Sequence, residues 1–270
     1  MTHLAASIDG VGLLGPGLVS WNAAGDVLAG RSAHAPSPTI LPVAQRLPAA
    51  ERRRAGTVIR LALGVTEQAV ALCGWDVAKL ATVFTSSSGE GSNCHALCEA
   101  LASTERSVSP TRFTNSVHNA AAGYWHIAVA SRAASTSVCG YDSSFGAGLV
   151  EAMVQVATRG APVLLVATDT PYSEPLNAKR PLSDNFGIAF VLAPQPGSRT
   201  VGELRLSLAG TGAPLPATSC RQTTLEALRV SIPAAAGLPL LEALARREPK
   251  RVSLICPPGL RMQIDVSPPR

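Results

Sequence analysis

Two neighbouring stretches near the middle of the chain decide the fold. Residues 113–126 read FTNSVHNAAAGYWH, and residues 135–152 read STSVCGYDSSFGAGLVEA. The second stretch predicts a short strand, a sharp turn and a helix rich in small residues. Such an elbow presents one side chain at the start of a helix, where backbone N–H groups and the helix dipole favour an anion.

Strands and helices alternate on both sides of this elbow. The predicted strands are residues 81–86, 135–141, 161–168 and 186–193. The predicted helices are residues 51–73, 93–102, 115–131 and 143–159. This alternation predicts an α/β fold with a largely buried sheet.

The N-terminal end carries a glycine motif. Residues 4–8 predict a short strand, and Gly10–Pro16 predicts a tight loop that matches the pattern Gly-x-Gly-x-x-Gly. The preceding strand is weak, and Pro16 and Gly17 follow where a nucleotide-binding helix would begin. Nucleotide binding is therefore the less favoured interpretation of this motif.

The C-terminal end has a different texture. After Pro194 the elements become short, and Pro, Gly, Ser and Thr interrupt them. We place a boundary at Pro194–Arg199, between an N-terminal domain of residues 1–193 and a short α/β segment of residues 194–270. This segment predicts strands over 204–209, 252–256 and 261–266 and helices over 224–230 and 239–247. We expect it either to complete the sheet with two or three strands or to cover a partner.

The composition excludes several classes of protein. Of the 270 residues, 46% are hydrophobic and 15% are charged, which excludes a disordered chain and a charged coiled coil. The net charge of +5 comes mostly from arginine, clustered at residues 52–54 and 246–251. These clusters are typical either of solvated helix ends or of a surface for an acidic partner. Nucleic acid is a less favoured partner, because no aromatic residues alternate with the basic ones.

The six cysteines are scattered and lack the density of a disulfide scaffold. Cys94 and Cys98 lie four apart on one helical face, but two thiolates are only half of a zinc site. We expect them to be buried small hydrophobic residues and predict no metal and no cofactor. The N-terminus lacks a signal-peptide pattern, and no apolar run approaches the ~20 residues that span a bilayer. These features predict a cytoplasmic location.

Two further motifs have alternative interpretations. Residues 86–91 read SSSGEG, which is either an anion-binding nest or, as we favour, a turn at the end of a strand. Residues 142–146 approach the Gly-x-Ser-x-Gly pattern of hydrolases, but Asp142 stands where the first glycine belongs. A hydrolase elbow is therefore not predicted.

Several pieces of the chain follow a familiar order and spacing. They are the strand and glycine loop at Ile8–Pro16, the helix through Arg60, the strand and Ser/Gly turn at Thr82–Gly91, and Asn119 and Gly123 ahead of the elbow strand. Together they resemble the N-terminal half of a β-ketoacyl synthase, the condensing enzyme of the thiolase fold, over residues 4–193. The resemblance implies a layered, mixed sheet with helices.

The chain departs from an active synthase at two places. The resemblance puts Asp142 at the position of the nucleophilic cysteine, and Cys139 lies three residues earlier, inside the strand. The two catalytic histidines of the family lie in its C-terminal half, whereas no histidine follows His126 here. An aspartate is a poor substitute for a thiolate that must accept an acyl group. The resemblance therefore implies that this chain has no catalytic residues of the family.

A ketosynthase-like chain without these groups resembles a chain-length factor, the subunit that pairs with an active ketosynthase in type II polyketide systems. Thr114–Trp125 and Tyr172–Asn177 look most like the short subunits of bacterial aryl polyene and xanthomonadin-type clusters. The implied partners are a paralogous active ketosynthase, in a heterodimer, and an acyl carrier protein, reached directly or through the ketosynthase. Arg52–Arg54 are candidates for the direct contact.

The resemblance also implies which residues shape the product. Candidates at the interface and the floor of the partner's acyl tunnel are Ser116, Val117, His118, Asn119 and Tyr124. Because packed interiors resist even one added methylene, larger side chains there would stop chain growth earlier. Two alternatives stay open: an acyltransferase or decarboxylase that uses Cys139 or Asp142, and a free-standing homodimer that binds acyl thioesters.

Overall fold

One sheet forms the centre of the structure. The computed structural model describes residues 3–210, 215–256 and 260–269. In this part of the chain the strands are β1 (His3–Leu14), β2 (Ala81–Thr85), β3 (Ser135–Val138), β4 (Val163–Asp169), β5 (Phe186–Ala193), β6 (Gly202–Gly210), β7 (Lys250–Leu254) and β8 (Leu260–Ser267). Their order in the sheet is β3-β2-β4-β5-β1-β6-β8-β7. β2 pairs in parallel with β3 and β4, and the other neighbours are antiparallel, so the sheet is mixed.

Helices cover both faces of this sheet. Those in the described residues are α1 (Gly25–Leu28), α2 (Ala49–Arg54), α3 (Thr57–Val70), α4 (Gly91–Ala102), α5 (Pro110–Thr114), α6 (Ala120–Ala128), α7 (Ser144–Arg159), α8 (Leu176–Lys179), α9 (Thr223–Ser231) and α10 (Leu238–Arg246). Successive side chains of β4 enter different cores: Val163 and Leu165 pack with α7, whereas Leu164 and Val166 pack with α3 and α6. Every residue of β4 and β5 is buried, as expected for strands covered on both faces. The predicted layered α/β architecture is confirmed.

The first strand is longer than predicted. β1 continues through Gly10 and Gly12, which we expected to form a tight loop. A Cβ atom added at Gly12 would lie 1.8 Å from the carbonyl oxygen of Val65, and one at Gly10 would lie 1.9 Å from that of Ala69. The missing side chains let the backbone of α3 lie directly on β1. The loop prediction was wrong because glycine marks close backbone approach as well as turns, and the motif opens no nucleotide-binding helix.

Two helix predictions were too long. The predicted helix over 51–73 is α2 followed by α3, because Ala55 and Gly56 between them have extended backbone angles. The predicted helix over 115–131 is only α6, and residues 115–119 form turns that join α5 to α6. The second break bears on a surface described below.

The expected burial of one cysteine pair is also wrong. Cys94 and Cys98 lie on α4 and both are exposed. Only Asn93 is buried along this helix, because α4 packs loosely on the outside of the layer. Among the described residues no group of three or more potential metal ligands is found.

The residues after Pro194 continue the same sheet. β6 pairs antiparallel with β1, β8 with β6, and β7 with β8. α10 places Leu240 and Leu241 in the same core as Ile8 and Phe190. The predicted strands and helices of this segment are all present, with small shifts of their ends. Positions 211–214, 257–259 and 270 lie outside the described residues.

Candidate functional site at the elbow

The elbow joins β3 to α7 through a strained turn. After β3 the chain passes Cys139 and Gly140, forms a 3₁₀ turn at Tyr141–Ser143, and enters α7 at Ser144. Tyr141 has a φ of +54°, a left-handed conformation that is unfavourable for a large side chain. The hydroxyl of Ser144 accepts a hydrogen bond from the Gly140 amide at 3.0 Å and donates one to the Tyr141 carbonyl at 2.7 Å. The helix thus holds the strained residue in place.

An arginine from a distant segment covers the elbow. The guanidinium of Arg180 donates to Asp142 Oδ1 at 2.5 Å and to the hydroxyl of Tyr172 at 2.6 Å. Its carbon also lies 3.8 Å from the centre of the Tyr141 ring, within the range of a cation–π interaction. Burial acts to lower the pKa of Arg180, but the contacts with Asp142 and the two tyrosines outweigh it and raise that pKa. We call Tyr141, Asp142, Tyr172 and Arg180 the arginine cluster.

The nearby thiol does not lie at the helix start. Cys139 is exposed, and its Sγ is 3.7 Å from the carbonyl oxygen of Ser87. The side chain at the position that the resemblance assigns to a nucleophile is Asp142, whose carboxylate is paired with Arg180. The elbow therefore offers an ion pair, whereas thioester exchange requires a thiolate.

The Ser/Gly turn beside the elbow is tied to a buried carboxylate. Asp169 Oδ1 accepts hydrogen bonds from the Ser86 hydroxyl and from the amide and hydroxyl of Ser87, and its Oδ2 accepts from the Ala234 amide. The amide of Gly89 donates to Ser86 Oγ at 2.9 Å. Burial raises the pKa of Asp169, although these donors act to lower it. Protein groups bind the hydroxyls of Ser86 and Ser87 and the amides of Ser87 to Gly89, which favours the strand-end turn over an anion nest.

The structure separates the predicted tunnel residues into two groups. Ser116, Val117, His118 and Asn119 are exposed, and Val117 and His118 line a narrow pocket of about 20 Å³. Ser86, Glu90 and Ser137 also line this pocket, which has room for about one water molecule. Tyr124 instead points into the core, where its hydroxyl donates to Asn115 Oδ1 at 3.1 Å.

One sheet edge next to this pocket is open. β3 has four residues and pairs only with β2, so its other edge has no strand partner among the described residues. His126 Nε2 lies 3.1 Å from the hydroxyl of Thr82, which donates to the hydroxyl of Ser135, and this chain of contacts ties α6 to the edge.

Several large side chains are exposed at the elbow, on α5 and α6, and on the turns between those two helices. Phe113 is 68% exposed, Tyr141 61%, Val117 50% and Ile127 49%. Sequence reasoning missed Phe113, Tyr141 and Arg180, because periodicity does not show which apolar residue faces solvent or which distant arginine reaches an elbow. We call β3, α5, α6 and the turns between the two helices the open face.

Comparison with known families identifies the family of the chain. A profile described as the β-ketoacyl synthase N-terminal domain matches residues 21–248. The chain belongs to this β-ketoacyl synthase family. The match spans the elbow, the arginine cluster and most of the C-terminal segment, so the resemblance found in the sequence is confirmed. No curated protein matches the sequence.

Solved structures similar to this β-ketoacyl synthase family member share its fold at low identity. A ketosynthase, ApeO, in complex with its chain length factor, ApeC, from Xenorhabdus doucetiae matches with a TM-score of 0.72 and 22% identity, covering 97% of this chain and 99% of that one. The ishigamide ketosynthase/chain length factor matches with a TM-score of 0.71 and 13% identity, covering 98% and 100%. The complex AntDE:AntF, a type II polyketide carrier protein with its ketosynthase, matches with a TM-score of 0.74 and 12% identity, covering 99% and 100%.

These similarities establish a ketosynthase-type, thiolase-like fold over nearly the whole chain. The matches cover 97% to 99% of this chain, so they include most of its C-terminal segment. Within the described residues, no helix has the length and apolar character needed to cross a membrane.

Proposed function

We propose that this chain is a catalytically inactive ketosynthase-like subunit, a chain-length factor that pairs with an active β-ketoacyl carrier-protein synthase. The observation that supports the proposal is the elbow, where Arg180 holds Asp142, the residue that the resemblance assigns to the position of the nucleophile. A carboxylate held in an ion pair has neither the nucleophilicity nor the leaving-group chemistry of a thiolate in acyl exchange. No histidine follows His126 to polarise a thioester carbonyl or assist decarboxylation.

The open face supports pairing with a second ketosynthase-type subunit. The free edge of β3 offers unpaired backbone groups, which a strand of a partner satisfies by extending the sheet. Val117 lines a pocket with Ser137 of β3, and Ile127 lies on α6, which His126 links to that strand, so these exposed side chains supply apolar area near the edge. An apolar heterodimer interface would also stabilise both subunits by mass action.

Product length is the property that the open face would control. Ser116, Val117, His118 and Asn119 are exposed on the turns between α5 and α6, where a partner's tunnel can be closed by their side chains. Tyr124 lies behind them and fixes Asn115, so its role would be to position this segment. The length limit is then steric, because a growing chain cannot displace packed side chains without strain.

The C-terminal segment would replace the second half of a full synthase. We infer that residues 194–270 complete the fold, since β6, β8 and β7 extend the sheet beyond β1 and α10 contributes to the same core. A carrier protein would reach the complex directly or through the ketosynthase. In this scheme the chain needs no cofactor and works in the cytoplasm.

Co-expression with the tagged ketosynthase of the same gene cluster tests the pairing. We expect the two chains to co-purify at one to one. If this chain purifies alone as a homodimer and becomes acylated at Cys139 by an acyl thioester, the chain-length-factor proposal is wrong and acyl transfer replaces it. A Cys139→Ala variant identifies the acylated thiol, because Cys94 and Cys98 are also exposed.

Two substitutions test the tunnel. Val117→Trp or Ser116→Trp in the complex is expected to shorten the polyene products, read by mass spectrometry, because the larger side chain fills the tunnel floor. Val19→Trp is the matched control, since Val19 is 58% exposed and lies outside the open face. Unchanged product length in a complex that still assembles would exclude these residues from the tunnel.

A further inference from the structure

A groove lies beside the C-terminal end of α3, at the opposite end of that helix from the narrow pocket beside the open face. Trp21, Ala69 and Leu72 line it, together with residues of β1, and its volume is about 430 Å³. A second cavity of about 350 Å³ is lined by the same Trp21 and Val201, so the groove continues past the indole ring. Ile59 lines the narrow pocket and Ala69 lines the groove, so the two sites lie about 15 Å apart along α3. Nothing above assigns a role to this Trp21 groove.

A bulge in β1 closes the floor of the Trp21 groove. The register between β1 and β5 shifts between Ile8 and Gly10, which leaves Asp9 as the extra residue. Asp9 is only 6% exposed; its Oδ2 accepts a hydrogen bond from Trp75 Nε1 at 2.9 Å, and its Oδ1 accepts one from the Thr200 hydroxyl at 2.8 Å. Neutral donors therefore already hold both oxygens of this carboxylate, which makes Asp9 part of the floor and a poor partner for a cationic ligand.

Arg199 supplies a fixed positive charge at the rim of the groove. Its Nη1 donates a hydrogen bond to the carbonyl of Leu72 at 3.2 Å. The guanidinium rests on Gly74, where an added Cβ would lie 2.6 Å from Nη1, so the missing side chain leaves room for it. Among the described residues, no carboxylate lies within ion-pair distance of Arg199. This guanidinium therefore has a set position and an unmatched charge.

We infer that the Trp21 groove binds a linear apolar monocarboxylate, with its carboxylate at Arg199 and its hydrocarbon chain along Trp21. Apolar walls favour a ligand whose body is poorly hydrated, and one unpaired guanidinium matches the two oxygens of one carboxylate. Two cavities that meet at one ring suit an extended chain better than a compact ligand. An apolar pocket of this size with few polar groups is typical of small-molecule sites. The inference does not rest on the chain-length role, because the lining of the groove lies outside β3, α5, α6 and the turns between them.

Calorimetry on the full chain, together with its ketosynthase where the two co-purify, tests this inference. The probes are hexanoate, octanoate and 1-octanol, each kept below the concentration at which it aggregates. We expect octanoate to bind about four- to sixteen-fold more tightly than hexanoate, because each buried methylene contributes up to about fourfold in affinity. We expect 1-octanol to bind about tenfold more weakly than octanoate, because it lacks the charge that pairs with Arg199.

Two substitutions assign the binding to this groove. Arg199→Gln should weaken octanoate binding about tenfold and leave 1-octanol binding unchanged. Leu72→Glu should also weaken octanoate binding, because it places a negative charge beside the guanidinium. Both side chains are exposed, so the fold should survive either change. Arg159→Gln is the matched control, since Arg159 is exposed at the end of α7 and also has no carboxylate partner among the described residues.

The outcomes separate this inference from its alternatives. No binding of octanoate, equal affinities for octanoate and 1-octanol, or equal octanoate affinities in the wild type and Arg199→Gln would each overturn it. Tighter binding of suberate, the dicarboxylate of the same length, would place a second charge at Arg247 in the adjoining cavity and overturn the choice of an apolar tail. Co-purification with the ketosynthase is scored separately and should survive both substitutions, so failure of the chain-length-factor proposal leaves this test intact.

Discussion

The contact between β1 and α3 gives the sharpest prediction for stability. At Gly12 an added methyl carbon would lie 1.8 Å from the carbonyl oxygen of Val65, and real Cβ atoms essentially never approach closer than 3.0 Å. In Gly12→Ala, α3 must therefore move outward by roughly 1.2 Å or the strand must bend. The obstacle is backbone on both sides, so no flexible side chain can yield.

This displacement disturbs the core beneath α3. Leu61, Leu63 and Val65 of this helix are almost fully buried, and a shift of the helix opens gaps around all of them. We expect Gly12→Ala to lower the free energy of unfolding by about 3 kcal/mol or more. For a chain of this size the loss corresponds to a fall in Tm of roughly 6–12 °C.

Denaturant unfolding of the isolated chain measures the effect. Gly123→Ala is the matched control, because a Cβ at Gly123 meets nothing within 4 Å and the position lies inside α6. The control should gain about 0.5–1 kcal/mol from the better helix propensity of alanine. A Gly12→Ala protein as stable as the wild type would refute the packing account of this glycine motif.

Three further predictions concern charged and polar contacts. The side-chain hydrogen bond from Arg229 lowers the pKa of Glu226 from its usual 4.5 to about 2. The ionised Glu226 therefore stabilises the fold above pH 4.5, and this stabilisation is lost as the pH falls towards 2. Glu226→Gln should flatten that part of the plot of unfolding free energy against pH. Asp169→Asn should lower the free energy of unfolding by about 2 kcal/mol, because the new amide nitrogen would face N–H donors that now bind the carboxylate. An unchanged midpoint of urea unfolding would contradict the role of this hydrogen-bond network. Arg180→Ala should speed hydrogen exchange at the elbow amides while Tm changes little, because Arg180 restrains an exposed turn through its contact with Tyr141. Equal exchange rates in the variant and the wild type would show that the arginine cluster does not restrain the elbow.

Sequence patterns predicted the strands at the centre of the sheet well. The run Phe186–Ala193 matches β5 residue for residue, because eight successive apolar residues including Gly187 have the length and character typical of a strand covered on both faces. Patterns failed where one residue type serves two purposes. Gly10 and Gly12 indicated a turn but serve close packing, and the thiols of α4 resembled core residues although that helix packs loosely.

The candidate site was predictable only in its local part. The strand, turn and helix of the elbow follow from a continuous stretch of sequence, and Asp142 was singled out within it by the resemblance to the family. Arg180 reaches Asp142 across 38 residues, and Asn93 supports Arg112 across 19, so both contacts exist only after folding. Local periodicity carries no information about such pairs.

The position of the first strand has a consequence for synthesis. β1 lies between β5 and β6, and its residue His3 contacts Ser207, 204 positions later. At roughly 5–20 residues per second, the ribosome delivers that partner about 10–40 s after the strand emerges. Both edges of this apolar strand lack partners until β5 emerges, and the edge that pairs with β6 lacks its partner for the whole delay. The nascent chain is thus most exposed to misassociation before it is finished, and chaperone demand should fall once β6 has left the exit tunnel.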